Sequence, residues 1–200
     1  HALDRRQRQM CIRDRSISSS IIDDKNKNGI GIIPFLTSGF PNVELTKDII
    51  LKLVDEKLCS AIEIGIPFSD PIAEGKTIQR SSSVALKNGV TIDSTLKTIS
   101  EINKYNKDTP IISMGYYNPI IKIGLDNFFS GCKQSGVNGV IIADIPNTEL
   151  EIIQNTANKY QIETIPLVPL NASNTTVEHA CKIGQGFIYC VSVLGVTGTR

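Results

Sequence analysis

From Ser16 onward, apolar residues fall into short continuous runs separated by longer stretches in which they recur every three or four positions. The runs Gly31–Thr37, Ser60–Ile64, Pro110–Met114, Gly139–Ala143, Glu163–Val168 and Gly186–Ser192 are mostly uninterrupted and β-branched, the pattern of parallel strands buried on both faces. The stretches Glu44–Glu56, Thr77–Lys87 with Ile92–Asn103, Leu125–Gln134, Thr148–Tyr160 and Thr175–Lys182 each carry an apolar stripe and predict amphipathic helices. The order is strand then helix, repeated. Each strand runs into a loop bearing Gly or Pro (SGFP, GIPFSDP, GYYNP, DIPN, VPLN), whereas the returns into strands are short, so function is expected on the loops after the strands.

This succession fits either an open doubly wound sheet or a barrel. SGFPN, not a G-x-G-x-x-G run, follows the first strand, which argues against a dinucleotide fold. A (β/α)8 TIM barrel typically needs about 250 residues. This chain of 200 holds about six of the eight βα units, and Arg200, just after the sixth strand, reads as a break. The expected class is α/β, a C-terminally truncated TIM barrel whose catalytic domain occupies residues 16–200. Residues 1–15, HALDRRQRQMCIRDR, are rich in Arg and Gln where the later basic residues are mostly Lys, and read as a non-native or disordered segment. Asp4 and Asp14 disfavour a targeting peptide there.

Composition narrows the partners. With 21 Lys and Arg against 20 Asp and Glu the net charge is +1, so nothing favours nucleic acid or an anionic membrane, and no apolar run approaches the roughly 20 residues of a membrane span. Cys11, Cys59, Cys132, Cys181 and Cys190 are odd in number and lack CxxC spacing, which favours reduced thiols over disulfides and argues against a metal site.

The candidate chemistry lies in AIEIGIPFSDPIAEGKTIQ, residues 61–79, where two acids stand eleven positions apart. Glu63, between Ile62 and Ile64, alternates to the face opposite both, which is the interior of a barrel. Loss of solvation there raises a carboxyl pKa and lets it hold a proton near neutrality. Glu74 falls in the following loop among Pro71, Gly75 and Lys76, where solvent is expected to keep it ionised. Two acids in contrasting environments suit general acid/base work. On spacing alone, a buried structural acid and a solvated loop residue account for the pair better, because structural networks perturb pKa values too.

EIGIPFSDP at 63–71, together with PFLTSGFP at 34–41, MGYYNPI at 114–120, ADIPN at 143–147 and GVTGTR at 195–200, resembles the alpha subunit of tryptophan synthase, collinearly from about Ile32 to Arg200. The resemblance implies a TIM-barrel lyase that cleaves indole-3-glycerol phosphate to indole and glyceraldehyde 3-phosphate without metal or organic cofactor, in tryptophan biosynthesis. It implies a beta-subunit partner in an alpha2beta2 assembly, and a location in the cytoplasm or plastid stroma. Glu63 matches the catalytic glutamate that protonates the indole ring carbon bearing the side chain. Glu74, in E-G-K-T-I-Q, matches the second acid, an aspartate in D-G-P-T-I-Q, with Lys76 in place of the proline.

Phe35, Met114, Tyr116 and Tyr189 match positions around the substrate. Thr197 matches a threonine that meets the second acid when the loops close, and Gly198 a backbone phosphate contact. Pro67, Asp70, Asn118, Asp144 and Pro146 match interface or loop-support positions. Residues 65–76 and those from 194 onward match two mobile loops that close over substrate. The resemblance also allows a stand-alone lyase, or a non-catalytic alpha-like subunit that only activates a beta partner.

Overall fold

The computed structural model describes residues 16–71, 74–106 and 108–192. The chain opens with α1 (Ile17–Asn28), then β1 (Phe35–Thr37), α2 (Val43–Asp55), β2 (Ile62–Gly65), α3 (Lys76–Lys87) and α4 (Ile92–Ile102). It continues through β3 (Ile111–Gly115), α5 (Tyr117–Ile123), α6 (Leu125–Ser135), β4 (Gly139–Ile142) and α7 (Asn147–Lys159). β5 (Glu163–Thr164), β6 (Leu167–Val168), α8 (Asn174–Ile183) and β7 (Tyr189–Cys190) complete it. Helix starts follow local chemistry: Asn42 Oδ1 accepts from Leu45 N at 2.8 Å ahead of α2, and Thr91 and Ser94 form a reciprocal capping box ahead of α4.

Strands β1 to β5 pair in sequence order, all parallel, and β6 pairs in parallel with β7. The single strand expected over Glu163–Val168 is therefore two. Ile165 N still donates to Val140 O on one side, but Pro166 has no N–H to continue that ladder, and its carbonyl instead accepts from Tyr189 N at 3.0 Å. Pairing passes from β4 to β7 across this break, so the strands follow the course of a barrel wall.

Alternation along the strands separates two cores. Ile62, Ile64, Ile111, Val140 and Ile142 face the helices and join Ile50, Ile99, Phe128 and Phe129 in the larger one. Ala61, Ile112, Ile141 and Ile165 face the other way, into the barrel interior, together with Ile17 of α1. α1 thus plugs the N-terminal end of the barrel. The sequence pattern did not reveal this helix, because only Ile17 and Ser20 of its twelve residues are buried and no apolar stripe exists to read. α5 was also read as loop. Pro119 sits in its first turn, where the missing N–H costs nothing, and the Asp144 carboxylate accepts the Tyr117 N–H at 2.7 Å.

Candidate active site

At the C-terminal ends of β1, β2 and β3 lies a narrow cleft, with a cavity volume of about 10 Å³, lined by Phe35, Gly65, Met114 and Tyr116. Glu63 stands just below it. Its Cα is in register with Phe35 on one side and Ile112 on the other, and its backbone N–H donates to Pro34 O at 2.9 Å. The alternation that sends Ile62 and Ile64 outward sends this side chain inward, where it is 4% exposed. Burial, and then the charge of Glu74, push its carboxyl pKa up to about 7.

Glu74 corrects the expectation of a solvated loop acid: it is 7% exposed. Glu74 lines the cleft with Ile78 and Ser82. These three positions are spaced by four, so as α3 begins they fall along one side of the helix. That spacing was available in the sequence and would have placed Ile78 and Ser82 beside the second acid; they were missed, as was Thr37 at the end of β1. Thr37 Oγ1 and Ser81 Oγ lie 2.7 Å apart in a buried hydrogen bond that ties α3 to β1.

Tyr189 is half-buried on β7, and burial, followed by the charges of Glu63 and Glu74, raises its phenol pKa. The structure therefore brings Glu63, Glu74, Phe35, Met114, Tyr116 and Tyr189 to one end of the barrel. Phe35 owes its position to a missing side chain: a Cβ on Gly65 would lie 2.5 Å from the Phe35 ring. Phe68, from the loop, sets its ring 5.0 Å from that of Tyr116 and extends the aromatic wall.

The support positions divide. Pro67 is buried, and Asp144 holds the start of α5 through the Tyr117 N–H. Asp70 is exposed and accepts from Ser69 Oγ, while Asn118 and Pro146 are exposed at the starts of α5 and α7. Thr197, Gly198 and the loop from 194 onward lie outside the described residues, as do residues 1–15. Among the described residues no group of three His, Cys, Asp or Glu side chains is placed to hold a metal ion, and no helix is long and apolar enough to cross a membrane. Cys59 and Cys132 are buried free thiols whose pKa values burial pushes up to about 11 and about 12, while Cys181 and Cys190 are free and exposed.

The family model for the tryptophan synthase alpha chain matches residues 21–200. The chain belongs to this family. It is 44% identical over 179 residues to the tryptophan synthase alpha chain of Petrotoga mobilis, covering 90% of this chain and 69% of that one. It is equally identical over 179 residues to that of Clostridium acetobutylicum, covering 88% of this chain and 66% of the relative. Among solved structures, the alpha subunit of Legionella pneumophila superimposes with a TM-score of 0.82 at 29% identity, covering 90% of this chain and 68% of the other. A chain from the tryptophan synthase a2b2 complex of Pyrococcus furiosus does so with a TM-score of 0.76 at 38% identity, covering 80% and 65%. The chain thus spans about two thirds of the length of these relatives. The architecture is accordingly that of the family's TIM barrel, here a parallel α/β wall from β1 to β7.

Proposed function

We propose that this protein is the lyase of tryptophan biosynthesis that cleaves indole-3-glycerol phosphate to indole and glyceraldehyde 3-phosphate. The observation that carries the reading is a buried Glu63, poised to hold a proton near neutral pH, standing within the electrostatic reach of Glu74 below an aromatic and apolar cleft. In this reading Phe35, Met114, Tyr116 and Tyr189 surround the indole ring. Protonated Glu63 delivers its proton to the ring carbon that bears the glycerol side chain, while the Glu74 carboxylate holds the ring N–H and takes its proton as positive charge develops. The bond between that carbon and the side chain then breaks. Its electron pair returns to the ring, and the adjacent side-chain hydroxyl gives its proton to the Glu63 carboxylate as the aldehyde forms, which restores the acid. Glu74 returns the proton to the ring nitrogen, so acids and products balance without an external oxidant or reductant.

Residues 16–200 belong to one catalytic barrel domain, with residues 1–15 outside it. Loops 65–76 and 194 onward close over the substrate, Thr197 meets Glu74, and Gly198 contributes a backbone phosphate contact. Pro67, Asp70, Asn118, Asp144 and Pro146 support the loops and the face toward a beta subunit in an alpha2beta2 assembly. The enzyme works in the cytoplasm or the plastid stroma.

Lys76 and Glu74, standing where the resembling motif carries proline and aspartate, favour one competing reading, a non-catalytic alpha-like subunit. Indole release by the full-length protein separates the two. The lyase reading expects equimolar indole and glyceraldehyde 3-phosphate from indole-3-glycerol phosphate, lost in Glu63→Gln. Turnover unchanged in Glu63→Gln, or none in the wild type while a beta chain is still activated, favours the binding role. Indole release that no beta chain increases makes it a stand-alone lyase.

A further inference from the structure

We propose that Gln79 is a positioning residue that fixes the second acid by clasping its backbone from inside α3. The inference rests on the acid/base reading above and goes beyond it to the device that holds Glu74 in place. Gln79 Nε2 donates to Glu74 O at 2.9 Å, and Gln79 N donates to Gly75 O at 3.0 Å, so both nitrogens of one residue grip the two residues that lead into the helix. The grip falls where the helix start is weak. Gly75, the N-cap of α3, has no side chain with which to cap it, and the first turn contains no acid. On the other side of Glu74 the backbone turn is long, with Glu74 N 3.4 Å from Pro71 O.

α3 is itself fastened to the barrel. Ser81 is two residues beyond Gln79 and buried, and its hydroxyl bonds Thr37 Oγ1 at 2.7 Å and donates to Ile78 O at 2.9 Å. Thr37 lies at the end of β1, in register with Gly65 of the strand that carries Glu63. A continuous strut therefore runs from β1 through Ser81 and Gln79 to Glu74, so that the spacing of the two acids is referred to a β-strand and not to a loop. Gln79 is exposed and is not among the residues lining the cleft, which separates positioning from direct contact with substrate. Displacement of a catalytic group by about 1 Å costs on the order of a hundredfold in rate, so one hydrogen bond at this hinge has leverage on turnover.

The test compares Gln79→Met, a neutral side chain of similar length without a donor, with Gln79→Lys, which restores a donor, both in the full-length protein acting on indole-3-glycerol phosphate. Glu74→Gln is run beside them. The expected result is a five- to fiftyfold fall in kcat for Gln79→Met with KM changed less than threefold, and partial recovery in Gln79→Lys. The alkaline limb of the kcat profile also moves to lower pH in Gln79→Met, because retreat of the Glu74 charge lowers the Glu63 pKa; loss of packing alone would not move that limb. Wild-type kcat and pH profile in Gln79→Met, with Glu74→Gln impaired, overturn the clasp and leave the role of Glu74 standing. A fall in kcat without a shift of the alkaline limb overturns it as well. Full activity in Glu74→Gln overturns both. Thermal unfolding of each variant, expected within a few degrees of wild type for an exposed position, separates loss of fold from loss of placement.

Discussion

Among the described residues, the strands carry one inward-facing glutamate toward each end of the barrel, and the two differ in their neighbours. At the N-terminal end, Glu163 of β5 is half-buried and its pKa is raised by burial, but a backbone hydrogen bond from Ile17 opposes the shift and no second carboxylate adds to it. Ile17 closes that end tightly: a Cβ on Gly139 would fall 2.6 Å from Ile17 Cδ1, and one on Gly186 would fall 2.6 Å from Glu163 Oε2. At the C-terminal end Glu63 is more deeply buried, lies beneath the cleft and feels the charge of Glu74. The same residue type on the same kind of strand thus serves as a cross-brace to a helix in one place and as a candidate proton donor in the other. Strand alternation sets only the direction of the side chain; the neighbours brought from other elements decide its chemistry.

The largest expected effect contrasts the two acids directly. Glu63→Gln lowers the rate of indole release by roughly a hundred- to ten-thousandfold, the range for loss of a general acid, whereas Glu163→Gln, whose amide oxygen still accepts from Ile17, stays within about threefold of wild type in steady-state assays. Ile17→Ala attacks the plugged end. Removing this fully buried side chain is expected to cost about 2–5 kcal/mol in chemical denaturation while leaving turnover at 25 °C nearly intact.

A third contrast lies in pH. Because the folded protein holds the Glu63 proton up to about 7 and an ordinary carboxyl loses it near 4.5, the folded state binds more protons between these values. Stability therefore falls as pH rises through that window and levels off above it, by about 3 kcal/mol from this group. Denaturation of the wild type at pH 5 and pH 8 measures the drop, and Glu63→Gln is expected to abolish most of it. The smallest effect is Gly65→Ala, which crowds the Phe35 ring and is expected to raise KM about tenfold, in line with 1–3 kcal/mol of overpacking. Combining it with Phe35→Leu relieves the clash, so a double-mutant cycle reads the coupling.

Much of this was legible in the sequence, for reasons visible in particular residues. The β-branched runs marked the strands to within a few residues, and Glu63 between two isoleucines announced its inward face because alternation is a strictly local rule. α1 was illegible because it contributes a plug rather than a stripe. The break at Pro166 was legible in principle, since a residue without an N–H cannot sit inside a two-sided ladder. The burial of Glu74 depends on its meeting residues from other strands, Phe35 and Met114 among them, which no local period encodes, and a reading from Pro, Gly and Lys neighbours pointed to solvent. Gln79 closed the matched E-G-K-T-I-Q run, but its role was illegible, because its partner is a backbone carbonyl rather than a side chain.

The account turns on a proton held by Glu63 at neutral pH beside Glu74, and a ¹³C NMR titration of the Glu63 side-chain carboxyl in the full-length protein tests this most directly. A midpoint near 7 that falls in Glu74→Gln is the predicted result. A midpoint in the ordinary carboxylate range, unchanged by Glu74→Gln, would contradict it.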